Sequence, residues 1–446
     1  MTVRAAIGDF FRTPRGQLLL LLVVAAVVRV AALQLGATAI APKGDEGYYL
    51  RQGASIAQGM GHPGSFRPPL YPLLIGATFS LFGASVGALR WIQIVISLVA
   101  VGLLYDICRR RFGTRAAFWS GLACALSPAL AHFSHFLWSE TLFITLLLLF
   151  FWMLRRFDGT GSVGFAAGAG LTLALAALTK EIVVFFALLM LPWLLVRPGR
   201  SRRLAAGHAL IFFACFLLPL APWVVRNWQA QETFVGLSTC RWFPIATGNL
   251  QSEDAVHGST KREEFLRQWR GMTDEVEKEA FSRRAALASI RAQQPWWILR
   301  KVRLNLPRLF SPKSQEIRFL ELGLYPREIG PVVARATMLT SLAGHLLLVA
   351  PGLAGLWLIR GDPLKWLAIA LIVYVVAVYV VANATPRFLV PLLPLFYLYV
   401  GPLVTRGFRE GGSWRRAGAL ATVVLFLTLV LPQVPRVLGP VWRSFG

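Results

Sequence analysis

The stretch Pro68-Pro69-Leu70-Tyr71-Pro72-Leu73-Leu74-Ile75-Gly76-Ala77-Thr78-Phe79-Ser80-Leu81-Phe82-Gly83 decides how the rest of the chain is threaded. It is apolar enough for a membrane span, yet at about 1.5 Å per residue it reaches only about 24 Å, short of a hydrocarbon core near 30 Å. Loop charge gives the same answer. Basic clusters at Arg4/Arg12/Arg15, Arg109/Arg110/Arg111/Arg115, Arg155/Arg156, Arg197/Arg200/Arg202/Arg203, Arg360/Lys365 and Arg406/Arg409/Arg415/Arg416 separate the apolar runs. Such clusters belong on the cytoplasmic side. A crossing at 68–83 inverts every side after it and puts the Arg109 cluster outside. A segment that dips into the outer leaflet and returns keeps all the clusters inside.

The sequence therefore predicts an all-α polytopic membrane protein with about eleven spans, near 17–36, 87–108, 116–132, 137–154, 163–179, 181–196, 204–225, 332–359, 365–382, 389–405 and 417–433. Residues 37–86 form one external loop with an embedded helix. Three regions follow: a membrane module at 1–225, an extracytoplasmic loop at 226–330, and C-terminal spans at 331–446. The N-terminus is expected in the cytoplasm of a cell inner or plasma membrane protein. Arg29 and the long apolar run around it favour a retained first span over a cleaved leader.

Composition agrees. The 446 residues are 56% hydrophobic and 15% charged, well under the roughly 25% charge of a soluble domain. The net charge of +25 comes in short clusters between apolar runs, so it reads as membrane orientation and not as a nucleic-acid face. Of four cysteines, Cys108, Cys124 and Cys215 sit in apolar runs and Cys240 is alone in a loop, with neither a disulfide framework nor zinc spacing. In the 226–330 loop, 261–292 has helical apolar spacing at Phe265, Trp269, Met272, Val276, Ala280 and Leu287. Pro295-Trp296-Trp297 then opens a basic stretch suited to the headgroup layer and to contact with membrane lipids.

This threading collects the costly polar residues on the external face: Asp45, Glu46, Arg67, the 132–140 corner, Lys180-Glu181, Arg226-Asn227 and the 383–387 corner. Asp45 and Glu46 form an adjacent carboxylate pair, which supplies a general base with a group to orient it, or else caps the helix expected at 47–60. Arg67 offers forked donors to a phosphate, or else anchors at the interface. Tyr48 and Tyr49 line a substrate pocket or belong to an aromatic belt. His132, His135 and Glu140 share one corner that could hold a divalent metal, yet no third strong ligand has regular spacing, so a metal is possible but neither it nor another cofactor is indicated. Lys180-Glu181 reads as a local ion pair or an acceptor contact. A phosphate-cradling glycine loop, a Gly-x-Ser-x-Gly elbow and a His-Glu-x-x-His pattern are all absent.

Four segments carry a resemblance. They are Gly44-Asp45-Glu46-Gly47-Tyr48-Tyr49; Phe66-Arg67-Pro68-Pro69-Leu70; Pro222-Trp223-Val224-Val225-Arg226-Asn227-Trp228 with Gly248-Asn249; and Pro386-Arg387-Phe388-Leu389-Val390-Pro391-Leu392-Leu393-Pro394. In this order they resemble the GT-C membrane glycosyltransferases, in particular the protein O-mannosyltransferase-like family that includes bacterial aminoarabinose transferases. The resemblance implies a GT-C fold, a polyprenyl-phosphate-linked sugar as donor and Asp45 as the catalytic carboxylate. It also implies an embedded juxtamembrane helix after Pro68-Pro69. Two departures leave the acceptor open among protein, lipid and glycan. Phe66-Arg67 stands where aminoarabinose transferases have Glu-Lys and mannosyltransferases have His before the prolines, and the large inserted lumenal domain of eukaryotic mannosyltransferases is missing.

The expected mechanism is inverting transfer. Asp45 takes the acceptor proton, with Glu46 beside it, while Arg67, Arg387 and Arg226 hold the donor phosphate. Tyr48, Tyr49, His135, Glu140, Lys180 and Glu181 surround the substrate. The rival is a transporter or flippase of lipid-linked sugars, which calls for polar residues near the bilayer midplane and broken helices in two related halves.

Overall fold

The structure, a computed structural model, describes residues 13–36, 44–196, 201–322, 330–407 and 412–444. Arg4, Arg12, Arg197, Arg200 and Arg409 of the basic clusters, and the start of the external loop at 37–43, lie outside the described residues. Regular structure among the described residues is helical throughout. Among the described residues, seven helices are long and apolar enough to cross a membrane: Pro14–Leu35, Val86–Phe112, Arg202–Gln231, Pro331–Leu358, Pro363–Val381, Pro386–Arg406 and Ser413–Gly439. Each matches one of the eleven expected spans.

The other four expected spans are also helical, but shorter, interrupted or charged at the ends. The run at 116–132 breaks into Thr114–Leu126 and Pro128–Phe133, where Pro128 has no backbone N–H to continue the first helix and the Ser127 hydroxyl caps the second. Glu140–Thr160 carries Glu140 at one end and Arg155, Arg156 and Asp158 at the other. Val163–Thr179 and Glu181–Leu195 are short apolar segments.

The core of the bundle lies between these elements. Val163–Thr179 packs between Glu140–Thr160 and Arg202–Gln231, and Leu393–Arg406 packs between Thr114–Leu126 and Pro331–Leu358. Leu393–Arg406 is almost wholly buried, which fits its continuous apolar sequence.

The embedded segment is a 13-residue helix, Leu70–Phe82, packed on Asp45–Ala57. Glycines let the two helices touch. A Cβ on Gly53 meets Ile75 Cγ2 at 2.2 Å, and one on Gly76 meets Ile56 Cγ2 at 2.6 Å. Tyr71 donates to Gln93 (2.9 Å), whose amide donates to the Phe136 carbonyl (3.0 Å), so the pair is tied to the Val86–Phe112 helix and to the 132–140 corner.

The expected helix over 261–292 is two helices, Lys261–Gly271 and Glu275–Ala292. Asp274 ends the continuity by capping the second one, its carboxylate accepting from the Glu277 N–H at 2.6 Å. With Trp242–His257, and within the loop expected to be external, they form a small subdomain around Ala246, Leu250, Phe265 and Ala286. Its attachment to the bundle explains the Gly248-Asn249 signal. The last carbonyls of Pro363–Val381 and the residue after it accept from this subdomain and the helix that follows: Val380 from Asn305 (2.7 Å), Val381 from Asn249 (3.2 Å) and Ala382 from Lys301 (2.8 Å). An ammonium at a helix C-terminus also complements the helix dipole. Gly248 packs so closely that a Cβ there sits 1.9 Å from the Ala382 carbonyl oxygen. Gly248→Ala is expected to destabilise the protein by about 3 kcal/mol, the upper end for overpacking, because the atom it meets is backbone. Thermal unfolding in detergent measures it; an unchanged midpoint contradicts the close approach.

Candidate functional site

The site grows from one end of the bundle, where three segments of distant sequence converge. Asp45 opens the Asp45–Ala57 helix, Arg67 precedes the Leu70–Phe82 helix, and Arg387 lies in the 3-10 turn Pro386–Leu392. Arg67 Nη2 donates to Asp45 Oδ1 and Arg387 Nη1 to Asp45 Oδ2, both at 2.7 Å. Arg387 bridges onward through Nε to Glu140 Oε1 (2.5 Å), and Lys180 Nζ donates to the same oxygen (2.9 Å). The Arg387 guanidinium also lies 3.8 Å from the centroid of the Trp138 ring, a cation–π contact that fixes its plane.

Two features of this network bear on chemistry. First, the two carboxylates are not equally reachable: the Asp45 side chain is 28% exposed and that of Glu140 1%. Asp45 is the carboxylate open to solvent, and Glu140 is the buried anchor that holds Arg387 and Lys180. Second, three cations face two carboxylates, which leaves one positive charge over for an anion. Burial works to raise the Asp45 carboxyl, but Arg67 and Arg387 outweigh it and hold it well below the usual carboxylate range. The folded value is the depressed one. The stability from these pairs is therefore complete above the ordinary carboxylate range, near pH 4, and is surrendered only as pH falls below it.

The remaining expected residues divide between this cluster and its surroundings. The capping alternative for Asp45 does not hold: Gly44 is the N-cap, and both Asp45 oxygens lie on arginines. Glu46 points elsewhere, accepting from the Leu137 N–H at 3.0 Å, and burial raises its carboxyl above the ordinary value. It ties the helix to the 132–140 corner. Tyr49 is buried beneath Arg67 and shares a 3.4 Å contact with the Ser139 hydroxyl, so it is core beneath the site rather than an open wall. Tyr48 packs edge-on against Phe66, with a buried hydroxyl that has no protein partner.

Three expectations are corrected. Lys180 does not pair with its neighbour Glu181; the two diverge where the Val163–Thr179 helix ends, Lys180 to Glu140 and Glu181 to the Ser238 hydroxyl (2.9 Å). His135 packs against the rings of His132 and Phe136, and burial followed by the repulsion of His132 and Arg90 keeps it well below its usual value. Arg226 is taken up in holding a loop: Nη1 donates to the Gly64 carbonyl (2.9 Å) and the Ser65 hydroxyl (3.1 Å), and Nη2 to the His62 carbonyl. Its donors are committed to this loop, so it is not among the cations of the cluster. Among the described residues no three His, Cys, Asp or Glu side chains converge as metal ligands do.

The bridging by Arg387 and the roles of Trp138 and Glu140 around it were not legible beforehand. Trp138 and Glu140 are near neighbours in sequence, but nothing local tells which distant cation they hold.

Residues 66–225 match the family model described as dolichyl-phosphate-mannose-protein mannosyltransferase, a stretch that begins at the Phe66-Arg67-Pro68-Pro69 element. No curated protein matches the chain by sequence. Among solved structures it is similar to the oligosaccharyltransferase of Archaeoglobus fulgidus in the apo form, with a TM-score of 0.51 and 14% identity over 95% of this chain and 56% of that one. The same archaeal enzyme, AglB, with an inhibitory peptide and a dolichol-phosphate gives 0.51 and 16% over 98% and 56%. ArnT from Cupriavidus metallidurans bound to undecaprenyl phosphate gives 0.40 and 17% over 87% and 79%. The chain thus spans 56% of the length of the oligosaccharyltransferase. Its fold is shared with that archaeal oligosaccharyltransferase, in agreement with the GT-C fold that the sequence resemblance implies.

Proposed function

We propose that this multi-pass membrane protein is a glycosyltransferase that moves a sugar from a polyprenyl-phosphate carrier to an acceptor hydroxyl on the extracytoplasmic face, with inversion. One observation carries the reading: a reachable aspartate held between two arginines, in a cluster with one positive charge in excess. That arrangement suits a reaction in which a proton is taken from one substrate while a phosphate leaves the other.

The acceptor oxygen attacks the anomeric carbon and its proton passes to Asp45. The bond between that carbon and the phosphate oxygen breaks, and the polyprenyl phosphate departs with the electron pair from the opposite face. Arg67 and Arg387 stabilise the charge that develops on it; a single such donor supplies on the order of 2–4 kcal/mol in a water-poor site. A carboxylate gripped by two guanidiniums is a weak base. As the lipid phosphate claims part of that grip, the proton affinity of Asp45 rises toward its ordinary value. The donor therefore switches on the base that acts on the acceptor.

The test is incubation of purified protein in sealed proteoliposomes with a labelled polyprenyl-phospho-sugar. Transfer, or slow hydrolysis without acceptor, supports an enzyme; translocation with the lipid-linked sugar intact means a transporter. Arg67→Ala is expected to raise the KM for donor about tenfold or more, with a smaller change in kcat, since Arg387 still faces Asp45. Unchanged donor kinetics rule out the phosphate role of Arg67.

A further inference from the structure

Arg67 is aimed from outside the membrane bundle. On one side it is followed by Pro68-Pro69, whose rings fix φ and leave little freedom. On the other side, two residues back, stands Ser65, fully buried and bonded through each of its polar groups. Its N–H donates to Glu275 Oε2 (2.8 Å), its carbonyl accepts from the Thr239 N–H (2.9 Å), and its hydroxyl meets Asn227 Oδ1 (3.1 Å) and Gln231 Nε2 (3.2 Å). The same Glu275 oxygen accepts from the Thr239 hydroxyl at 3.1 Å. Glu275 begins the Glu275–Ala292 helix of the external subdomain, 210 residues from Ser65. The fit is close: a Cβ on the neighbouring Gly64 sits 2.5 Å from Glu275 Oε1. Phe66, between Ser65 and Arg67, packs on Trp269 of the same subdomain.

We propose that Glu275 is a positioning residue for Arg67: by clamping Ser65 it sets where the guanidinium meets the lipid phosphate, so the external subdomain governs the donor site without touching the donor. With Ser65 anchored and the prolines rigid, only the torsions of Phe66 and Arg67 remain to place the side chain. Misplacing a reacting group by about 1 Å costs on the order of a hundredfold, so releasing this clamp is felt at the phosphate. The inference rests on the reading of Arg67 as a phosphate ligand.

The experiment combines two measurements on the full chain in nanodiscs: hydrogen–deuterium exchange of the 60–68 segment, and titration with undecaprenyl phosphate. Glu275→Ala is expected to speed exchange at 62–67 at least tenfold while the Val86–Phe112 helix is unchanged. It should also weaken undecaprenyl phosphate binding about tenfold. Glu275→Gln, which keeps an acceptor oxygen, should stay within twofold of wild type. In an Arg67→Ala background Glu275→Ala should weaken binding no further. Unchanged exchange, or an equal loss of binding with and without Arg67, overturns the proposal. If Arg67→Ala binds as wild type while Glu275→Ala still speeds local exchange, the clamp stands and the phosphate reading of Arg67 fails. If Glu275→Ala does not fold, Thr239→Val removes one bond to the same carboxylate and is read the same way, with a two- to threefold effect.

Discussion

Asp45→Asn is expected to abolish sugar transfer, by at least about a thousandfold, while undecaprenyl phosphate binds as tightly as to wild type or more tightly. The amide keeps the size of the carboxylate but cannot take a proton, and a positioned base contributes about 10²–10⁴-fold. It also removes the negative charge between Arg67 and Arg387, so an incoming phosphate has less competition for them. The two effects have opposite signs, which separates this role from a structural one. A loss of both transfer and lipid binding makes Asp45 an organiser of the arginines, and full turnover in the variant removes it from the mechanism. Single-turnover transfer and lipid titration on the same preparation decide.

Arg387→Ala is expected to have the broadest effect of any single substitution here. It strips Asp45 of one partner, removes the guanidinium stacked on Trp138 and leaves Glu140, 1% exposed, with Lys180 alone. Breaking a buried ion pair from one side costs about 3–5 kcal/mol, because the remaining charge cannot return to water. A lowered unfolding midpoint and loss of transfer should therefore appear together. Arg387→Lys restores the charge but not the fork that reaches two carboxylates at once, so it should recover folding more than activity. If Arg387→Ala is as stable as wild type, the Glu140 contact is not the anchor described above. Should lysine restore transfer fully, planarity and bidentate reach do not matter.

The parts of this molecule that could be read from the sequence are those fixed by local chemistry. The 68–83 segment was too short to cross, and the charges around it agreed; it folds as the Leu70–Phe82 helix beside the site. Asp45 and Arg67 stood out by lying in segments that carry the family resemblance, although each also had a bland reading, a helix cap for the one and an interfacial anchor for the other. What could not be read were partnerships made by packing. Lys180 seemed matched to the acid beside it in sequence, yet extended backbone at Lys180 sends the two side chains apart, and its partner is Glu140 on another helix. Arg226 carried a motif that suggested phosphate, and the structure spends it on the loop bearing Arg67. The eleven apolar runs became helices, but among the described residues seven helices meet the length and apolarity needed to cross: Glu140–Thr160 carries charges at its ends, two others are short, and hydropathy does not foresee a break such as Ser127-Pro128.

The pairing of Asp45 with Arg387 joins residues 342 positions apart. A ribosome delivering this chain releases its acid long before the second cation exists, so a nascent chain arrested after the Arg202–Gln231 helix holds Asp45 and Arg67 without the other half of the grip. Transferase capacity should therefore switch on abruptly near the end of biosynthesis. Co-expressed halves divided within the external subdomain offer a way to watch that moment, as neither piece alone brings both guanidiniums to the carboxylate.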